Sequence, residues 1–202
     1  MLVHGSQLIG TTILSLQSSG PIGQIESVII DPDTLKIVAF RLNGALISRS
    51  PNNLLDVKSI REYSHYGMVI DSIDELVADD DVVKISEVLA LNFDLIDLKV
   101  ETKKHSRLGK ILDYTVNPDD FMVQQIIVKR PPLKAFLDPE LTISRKEIIK
   151  VTDDKIIVKD EEKVLKRRAE KEDFIPNFVN PFRGQDFIPI ETNKKERETD
   201  YN

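Results

Sequence analysis

The chain has 202 residues, of which 41% are hydrophobic and 31% charged, and its formal net charge at pH 7 is −6. This composition is typical of a soluble globular protein with one or two domains. The absence of cysteine excludes disulfides, thiolate metal sites and cysteine nucleophiles. The three histidines are scattered, and no phosphate-binding or nucleophile motif is present, so we predict no enzyme activity, no cofactor and no metal.

The N-terminal sequence lacks the basic stretch and long apolar segment of a secretory signal. The longest aliphatic or aromatic runs, such as residues 37–40, are four residues long. A membrane-spanning helix needs about 20 apolar residues. We therefore expect a cytoplasmic protein without a membrane span.

An internal repeat appears when the sequence is compared with itself at an offset of 86 residues. Residues 22–42 then match residues 108–128 without a gap, and the similarity weakens further along the chain. The repeat predicts two copies of one module. We expect a first domain at residues 1–73, an acidic linker with a helix at 74–91 and a second domain at 92–160.

Each copy has the apolar and polar alternation that is typical of strands. In the first copy Val38, Phe40 and Leu42 alternate with Ala39 and Arg41. The second copy repeats this pattern with Leu112, Tyr114 and Val116 alternating with Asp113 and Thr115. In both copies the spacing of the apolar residues near the start of this strand breaks the alternation, which predicts a β-bulge.

The same turn chemistry follows the first strand of each copy. Asp31 and Pro32 in the first copy correspond to Asn117 and Pro118 in the second. Proline after Asp or Asn favours a type I turn. We therefore predict one β-hairpin per copy, with its turn at these residues.

A glycine follows a polar loop in each copy, at Gly23 and Gly109. We expect each to open the first strand of its hairpin, where glycine permits a positive φ or a close approach of two backbones. Between the copies, the carboxylates of residues 79–81 are expected to cap a helix over residues 82–89.

The order of loop, glycine, strand, Asp/Asn-Pro-Asp turn and strand resembles the PRC-barrel family. Residues 20–33 and 108–119 carry the resemblance, and residues 141–158 resemble the closing strands of that family. About 150 of the 202 residues are covered, in an arrangement similar to that of bacterial tandem PRC-barrel proteins. The predicted fold class is all-β, with two small PRC-like β-barrels in tandem, a short interdomain helix and a C-terminal helix with an irregular tail.

The resemblance implies a barrel of about six strands per copy and no catalytic activity. Family members include the cytoplasmic domain of the photosynthetic reaction-centre H subunit and the C-terminal half of a ribosome maturation factor, which use the barrel as an adaptor. The chain departs from the first because it has no membrane helix, and from the second because both of its copies are of one kind. Neither specific role is carried over.

Charge separates the two copies. Residues 1–90 have a net charge of −6, whereas residues 91–160 have a net charge of +1. The cations near the glycine of the second copy are Lys103, Lys104, Arg107 and Lys110. They are candidate contacts for RNA or another anionic surface. An ordinary solvated face, with Asp and Glu interspersed, is the alternative interpretation.

The composition changes after residue 160. Residues 161–171 predict a short charged helix, and a partly disordered tail follows in which Asp-Phe-Ile-Pro occurs at 173–176 and again at 186–189. Such a segment either packs on the rest of the chain or binds a partner. The candidate partner-binding residues are Phe174, Ile175, Pro176, Phe178, Phe182, Phe187, Ile188 and Pro189.

These features predict a non-catalytic adaptor that docks a cytoplasmic protein partner through its barrel faces and aromatic tail. The alternative is a ribosome- or RNA-associated assembly or maturation factor that uses the cationic second copy. Neither function requires a small-molecule substrate, and none is expected.

Overall fold

A computed structural model describes residues 2–47, 51–131 and 139–160. These residues form thirteen β-strands and two α-helices, so the predicted mainly β architecture is confirmed. No helix within these ranges has the length and apolar character needed to cross a membrane.

The chain begins with β1 (Val3–His4) and α1 (Gly5–Leu8). The first repeat contains β2 (Thr12–Ser15), β3 (Gly20–Asp31), β4 (Lys36–Asn43), β5 (Leu54–Asp56), β6 (Glu62–Ser64) and β7 (Gly67–Ile70). Helix α2 (Val83–Ala90) precedes the second repeat, which contains β8 (Lys99–Thr102), β9 (Arg107–Asn117), β10 (Met122–Lys129), β11 (Glu140–Ser144), β12 (Ile148–Val151) and β13 (Lys155–Val158). Short 3-10 turns lie at Val57–Ser59, Ile73–Glu75 and Arg145–Glu147.

The strands pair into one sheet in the order β12-β13-β8-β9-β10-β4-β3-β2-β7-β6, with β1, β5 and β11 paired to β9, β4 and β10. Read from one end, the order is β12-β13-β8-β9-β10, and read from the other end it is β6-β7-β2-β3-β4. These are equivalent strands of the two repeats, so the sequence repeat is also a structural repeat. The path of pairings has two ends, β12 and β6, within the described residues. Closure of each copy into a barrel is therefore not confirmed, and the division into domains stays a prediction.

The two repeats meet where their hairpin turns lie side by side. The N–H of Val123 donates to the carbonyl of Leu35 at 3.0 Å, and the N–H of Ile37 donates to the carbonyl of Phe121 at 2.9 Å. These two hydrogen bonds are equivalent under the 86-residue offset. The junction is therefore symmetric in its backbone, and it joins β4 to β10 in the sheet.

The first hairpin turn is organised by Asp31. Its Oδ1 accepts a hydrogen bond from the N–H of Asp33 at 2.9 Å, and its carbonyl accepts one from the N–H of Leu35 at 2.8 Å. The side chain of Asp31 therefore fixes the turn while Pro32 sets its first φ angle. The turn predicted at Asp31 and Pro32 is confirmed.

The second hairpin turn repeats this arrangement. The Oδ1 of Asn117 accepts from the N–H of Asp119 at 3.3 Å, and its carbonyl accepts from the N–H of Phe121 at 2.8 Å. Asn117 and Pro118 thus occupy the positions of Asp31 and Pro32, and the second predicted turn is also confirmed.

A large apolar residue ends each turn in the left-handed backbone region. Leu35 has φ 53° and Phe121 has φ 55°, and both side chains are buried. The conformation costs about 1–2 kcal/mol, whereas burying such a side chain gains about 1.5–3 kcal/mol. The ring of Phe121 packs edge-on against Phe40 of the first repeat, with 5.7 Å between centroids. Burial thus outweighs strain and joins the two halves of the core.

Gly23 and Gly109 lie inside β3 and β9 and do not open them, so that part of the prediction is wrong. The predicted close approach is confirmed at both. A Cβ on Gly23 would collide with the carbonyl oxygen of Asn43, and one on Gly109 with that of Lys129. Of these two glycines, only Gly109 has a positive φ, of 153°.

The predicted bulge is present in both long strands. The register of β3 shifts between Ile25 and Ser27, which leaves Glu26 as the extra residue. In β9 the register shifts at the equivalent place, and the extra residue is Leu112. Bulges bend a strand and redirect its side chains, and these two residues line the site described below.

The segment before the first repeat, β1 and α1, packs on the second repeat. The helix before the second repeat, α2, packs on the first. Strand β1 pairs with β9 of the second repeat, and Gly5 of α1 lies so close to the Tyr114 ring that a Cβ would collide with it. Ile85 and Val88 of α2 form a buried cluster with Ile29, Ala39 and Leu54 of the first repeat.

The helix predicted between the repeats is present, but its predicted cap is wrong. The N-cap residue of α2 is Val82, which makes no side-chain cap hydrogen bond. Asp79 instead forms an ion pair with Arg41 of β4 at 3.0 Å, and Asp81 accepts a hydrogen bond from the N–H of Ala78. The carboxylates therefore fix the loop before the helix.

Candidate functional site

A groove of about 480 Å³ lies between the two repeats. We call it the inter-repeat groove. Its walls are α1, the bulged part of β3, the end of α2 with the loop that follows, and the middle of β9. The two bulge residues, Glu26 and Leu112, both line it. The groove therefore exists because the bulges and the two covering helices meet at one place.

Apolar side chains from three elements converge on this groove. Ile9, Ile96 and Leu112 line it and are 48%, 37% and 47% exposed. Half-buried Val28 and Phe93 lie among them. Single exposed apolar residues are ordinary on a protein surface, whereas their convergence is typical of an interaction site.

Asp113 is the most highly connected polar group of the groove. Its carboxylate accepts hydrogen bonds from the hydroxyl of Ser6 at 2.8 Å, from the N–H of Ser6 at 3.1 Å and from the N–H of Tyr114 at 2.8 Å. The Nδ1 atom of His4 lies 3.1 Å from its Oδ2. This one carboxylate ties the N-terminal segment to the second repeat.

The environment of Asp113 lowers its pKa. Burial by itself raises the pKa, but the hydrogen bonds from Ser6, Tyr114 and His4 outweigh burial. The pKa therefore lies below its ordinary value of 3.8, and Asp113 carries a negative charge at neutral pH.

Ser6, His4 and Asp113 do not have the order of a nucleophilic triad. In such a triad the serine hydroxyl donates to the imidazole, and the carboxylate orients the imidazole from its other side. Here both the Ser6 hydroxyl and the His4 ring contact Asp113. The arrangement fits a structural clamp that holds α1 on β9.

Tyr114 forms part of the groove wall and is only 4% exposed. Burial raises the pKa of its phenol, and the negative charges of Asp113 and Asp94 raise the pKa further. The hydroxyl therefore stays protonated at neutral pH, so it can donate a hydrogen bond.

The rim of the groove is negatively charged. Glu26 and Asp94 line it and are exposed. Arg41 also lines it, but its guanidinium makes two hydrogen bonds of 3.0 Å to Asp79 and one of 2.9 Å to Asn53. Because the charge of Arg41 is already balanced, the groove offers apolar surface with acidic edges.

The predicted cations lie at the turn between β8 and β9 and at the start of β9, apart from the residues that line the groove. All four side chains are exposed. Lys104 lies 3.5 Å from Asp160, and Lys110 lies 3.8 Å from Asp97. In the described part of the chain, Lys103 and Arg107 have no carboxylate within 4 Å. Two of the four predicted cations therefore have a carboxylate neighbour.

The predicted tail residues, from Phe174 to Pro189, lie outside the described residues. Within the described ranges, no group of three or more His, Asp or Glu side chains could hold a metal ion.

The sequence did not predict the groove. In the sequence, Leu112 is one of the alternating apolar residues of a predicted strand, and no prediction concerns Ile9. The only local signal was the break in alternation, which predicts a bulge but not the direction in which its residue points. The groove also depends on contacts between segments far apart in the chain.

The fold defines a mainly β protein with two equivalent halves and a groove between them. No model of a known protein family matches the chain, and no curated protein is similar to it in sequence. The likeness to the PRC-barrel family therefore rests on the sequence motifs described above.

Proposed function

We propose that the protein is a cytoplasmic, non-catalytic adaptor of the PRC-barrel kind, whose inter-repeat groove binds an apolar segment of a partner protein. The observation that supports this is the convergence of exposed Ile9, Ile96 and Leu112 on one groove. Apolar surface held open by a hydrogen-bonded clamp gains stability when a partner covers it.

The groove also restricts the chemistry of its partner. A volume of about 480 Å³ accommodates a few large side chains rather than a whole domain. Glu26 and Asp94 at the rim favour Lys or Arg beside those side chains. The proposed ligand is therefore a short segment with two or three large apolar residues flanked by basic ones.

Selection of displayed random peptides on the full-length chain tests this proposal. We expect enriched peptides that combine large apolar residues with Lys or Arg. Their affinity should fall at least about tenfold for the double variant Ile96→Glu, Leu112→Glu, because two carboxylates then enter the apolar surface. Fluorescence anisotropy of a labelled peptide measures this change.

The matched control is Leu46→Glu with Ile149→Glu, at two exposed apolar positions that do not line the groove. The control variant should bind the same peptides within about twofold. The proposal is wrong if the selection enriches no such peptides, or if the two double variants weaken binding equally.

RNA association is the second candidate, and exposed Lys103 and Arg107 favour it. Binding of single-stranded RNA through two cations gives a slope of log affinity against log salt of about −1.4, and through four cations about −2.8. Titration of a labelled oligonucleotide at several salt concentrations measures this slope. Loss of binding in Lys103→Glu, Arg107→Glu supports the candidate, and no binding at low salt rejects it.

A further inference from the structure

We propose that the inter-repeat groove is occupied, in the absence of a partner, by the aromatic tail of the same chain, residues 174–190. The inference rests on the proposed function, because it takes the groove to be the docking surface for the partner. It adds regulation to that function: the tail and the partner compete for one site.

The tail has the large apolar side chains that the lining of the groove selects. Residues 174–190 contain four of the eight phenylalanines of the chain, together with three prolines and three isoleucines. Large apolar side chains on a proline-restricted backbone lose comparatively little conformational entropy on binding. The apolar lining of the groove, with Phe93 and Leu112, is the matching surface.

Apolar contact, and not charge, carries this pairing. Residues 161–173, between the described chain and the tail, carry five basic and five acidic side chains, and Glu172 and Asp173 directly precede Phe174. The carboxylates of Glu26 and Asp94 at the groove edges therefore favour a partner with basic flanks over the tail.

The described chain ends within reach of the groove. Asp160 lies beside Lys104 in the turn that leads into β9. Along β9, Leu112 is five residues beyond Arg107, or about 17 Å at the rise of a strand. The fourteen residues from Asp160 to Phe174 span about 26 Å when residues 161–171 form the predicted helix, and up to about 46 Å when fully extended. The tether is therefore long enough for the tail to lie in the groove.

Tethering makes even a weak contact effective. A short flexible linker gives an effective concentration in the millimolar range. A tail with an intrinsic dissociation constant of about 0.1 mM would then occupy the groove about 90% of the time, and a free peptide would bind about tenfold more weakly.

Paramagnetic relaxation tests this occupancy without any partner. The chain has no native cysteine, so one introduced cysteine carries a nitroxide label at a single position. Leu91→Cys places the label beside the groove, where Leu91 is 53% exposed. Tyr66→Cys is the control, in the turn between β6 and β7 at the far end of the sheet.

We expect the amide signals of residues 174–190 to broaden with the label at position 91 and not with the label at position 66. Addition of Ile96→Glu and Leu112→Glu should restore the signals. The inference is overturned if the tail signals are unaffected, or if they broaden equally with both labels. It is also overturned if broadening appears only when ¹⁵N-labelled chains are mixed with separate spin-labelled chains, because a second copy then fills the groove.

A competition measurement separates this inference from the proposed function. In the full chain, replacement of Phe174, Phe178, Phe182 and Phe187 by Ala should raise the affinity for a groove-binding peptide about tenfold. An unchanged affinity rejects the tail as a competitor but leaves the groove as a docking surface. The opposite outcome is also informative. If the tail signals broaden but the selection enriches no peptide, the tail contact stands and the proposed adaptor function is rejected.

Discussion

The two repeats share a backbone plan and differ in the side chains attached to it. Their turns, bulges and buried glycines recur at an offset of 86 residues. At the groove, however, Glu26 and Ser27 of the first repeat correspond to Leu112 and Asp113 of the second. The comparison shows that hydrogen bonding fixes the backbone in both copies, while the exposed positions are free to diverge and make one asymmetric site.

A second difference concerns the space beside each hairpin turn. Beside the first turn, Arg145 donates a hydrogen bond to the carbonyl of Thr34. Arg145 begins the 3-10 turn Arg145–Glu147, and Val57 begins the corresponding turn of the first repeat, where the offset has grown from 86 to 88 residues. The space beside the second hairpin turn is a cavity of about 560 Å³ that Val57 and Asp119 line. Equivalent backbones therefore have a side chain beside the first hairpin turn and an open cavity beside the second.

The largest effect is expected at the junction. Phe121→Ala should lower the free energy of unfolding by about 3–5 kcal/mol, because it removes a buried ring and its contact with Phe40. Leu35→Ala, at the equivalent position, should cost about 2–4 kcal/mol. Urea unfolding monitored by circular dichroism measures both. Phe121→Leu, which makes the second turn like the first, is the control and should cost less than about 1.5 kcal/mol.

Substitution of the two strand glycines, Gly23 and Gly109, should also cost more stability in the second repeat than in the first. Gly109→Ala is expected to cost about 2–4 kcal/mol, because it combines a collision with Lys129 and an unfavourable φ. Gly23→Ala lacks the unfavourable φ and should cost about 1–3 kcal/mol. Gly20→Ala, where a Cβ meets nothing closer than 3.8 Å, serves as the control. Equal values for all three in urea unfolding would contradict this account.

The clamp at Asp113 should make stability depend on pH in the second repeat. Asp113→Asn is expected to lower the free energy of unfolding at pH 7 by about 1–2 kcal/mol, because hydrogen bonds to a charged acceptor weaken. Since the folded pKa lies below 3.8, the wild-type advantage is present above pH 3.8 and is lost as the pH falls through the folded pKa.

Urea unfolding of Asp113→Asn and wild type across this range measures the difference. Ser27→Ala, at the equivalent position of the first repeat, should stay within about 0.5 kcal/mol at every pH. An advantage for wild type that grows as the pH falls would show that the charge of Asp113 does not stabilise the fold.

The smallest effect is expected beside the turns. Arg145→Ala should cost about 1 kcal/mol, because it removes a hydrogen bond from a charged donor to Thr34. Val57→Ala, next to the open cavity, should cost less, since Val57 is only half buried. Thermal unfolding of the two variants compares their losses of stability. A larger loss for Val57→Ala would show that Arg145 does not stabilise the first turn.

The sequence predicts those parts of the fold that are determined locally. Asp31 and Asn117 organise their turns with their own side chains, so three or four residues contain the necessary information. The glycine contacts are also predictable, because two backbones that approach closely leave no room for a Cβ. The division of the chain into strands and one helix follows from hydrophobic periodicity in the same way.

Features that depend on distant segments were not predictable. Thr115 was expected to alternate with core residues, yet it is 7% exposed because β1 covers it. Leu112 shares its alternation with Tyr114 and Val116, yet it is 47% exposed while they are buried, because it is the extra residue of the bulge. The cap of α2 was misassigned because Asp79 binds Arg41, which is 38 residues away in sequence.

The candidate site was predicted in fragments. The sequence shows four cations close together in the second copy, at the turn before β9 and at its start, but the carboxylate neighbours Asp97 and Asp160 become apparent only in three dimensions. The groove is built from residues of both repeats, α1 and the loop after α2. No single stretch of sequence contains its pattern.

The paired hydrogen bonds of Leu35 and Phe121 have the symmetry of an isologous homodimer, in which each contact occurs twice. In such a dimer, one substitution changes both copies of a contact at once, so a surface on the axis must remain compatible with itself. Within a single chain each half can change alone. The junction thus keeps the strength of a doubled contact, while the inter-repeat groove, whose lining contains none of the four residues in that contact, has Glu26 from one repeat and Leu112 from the other.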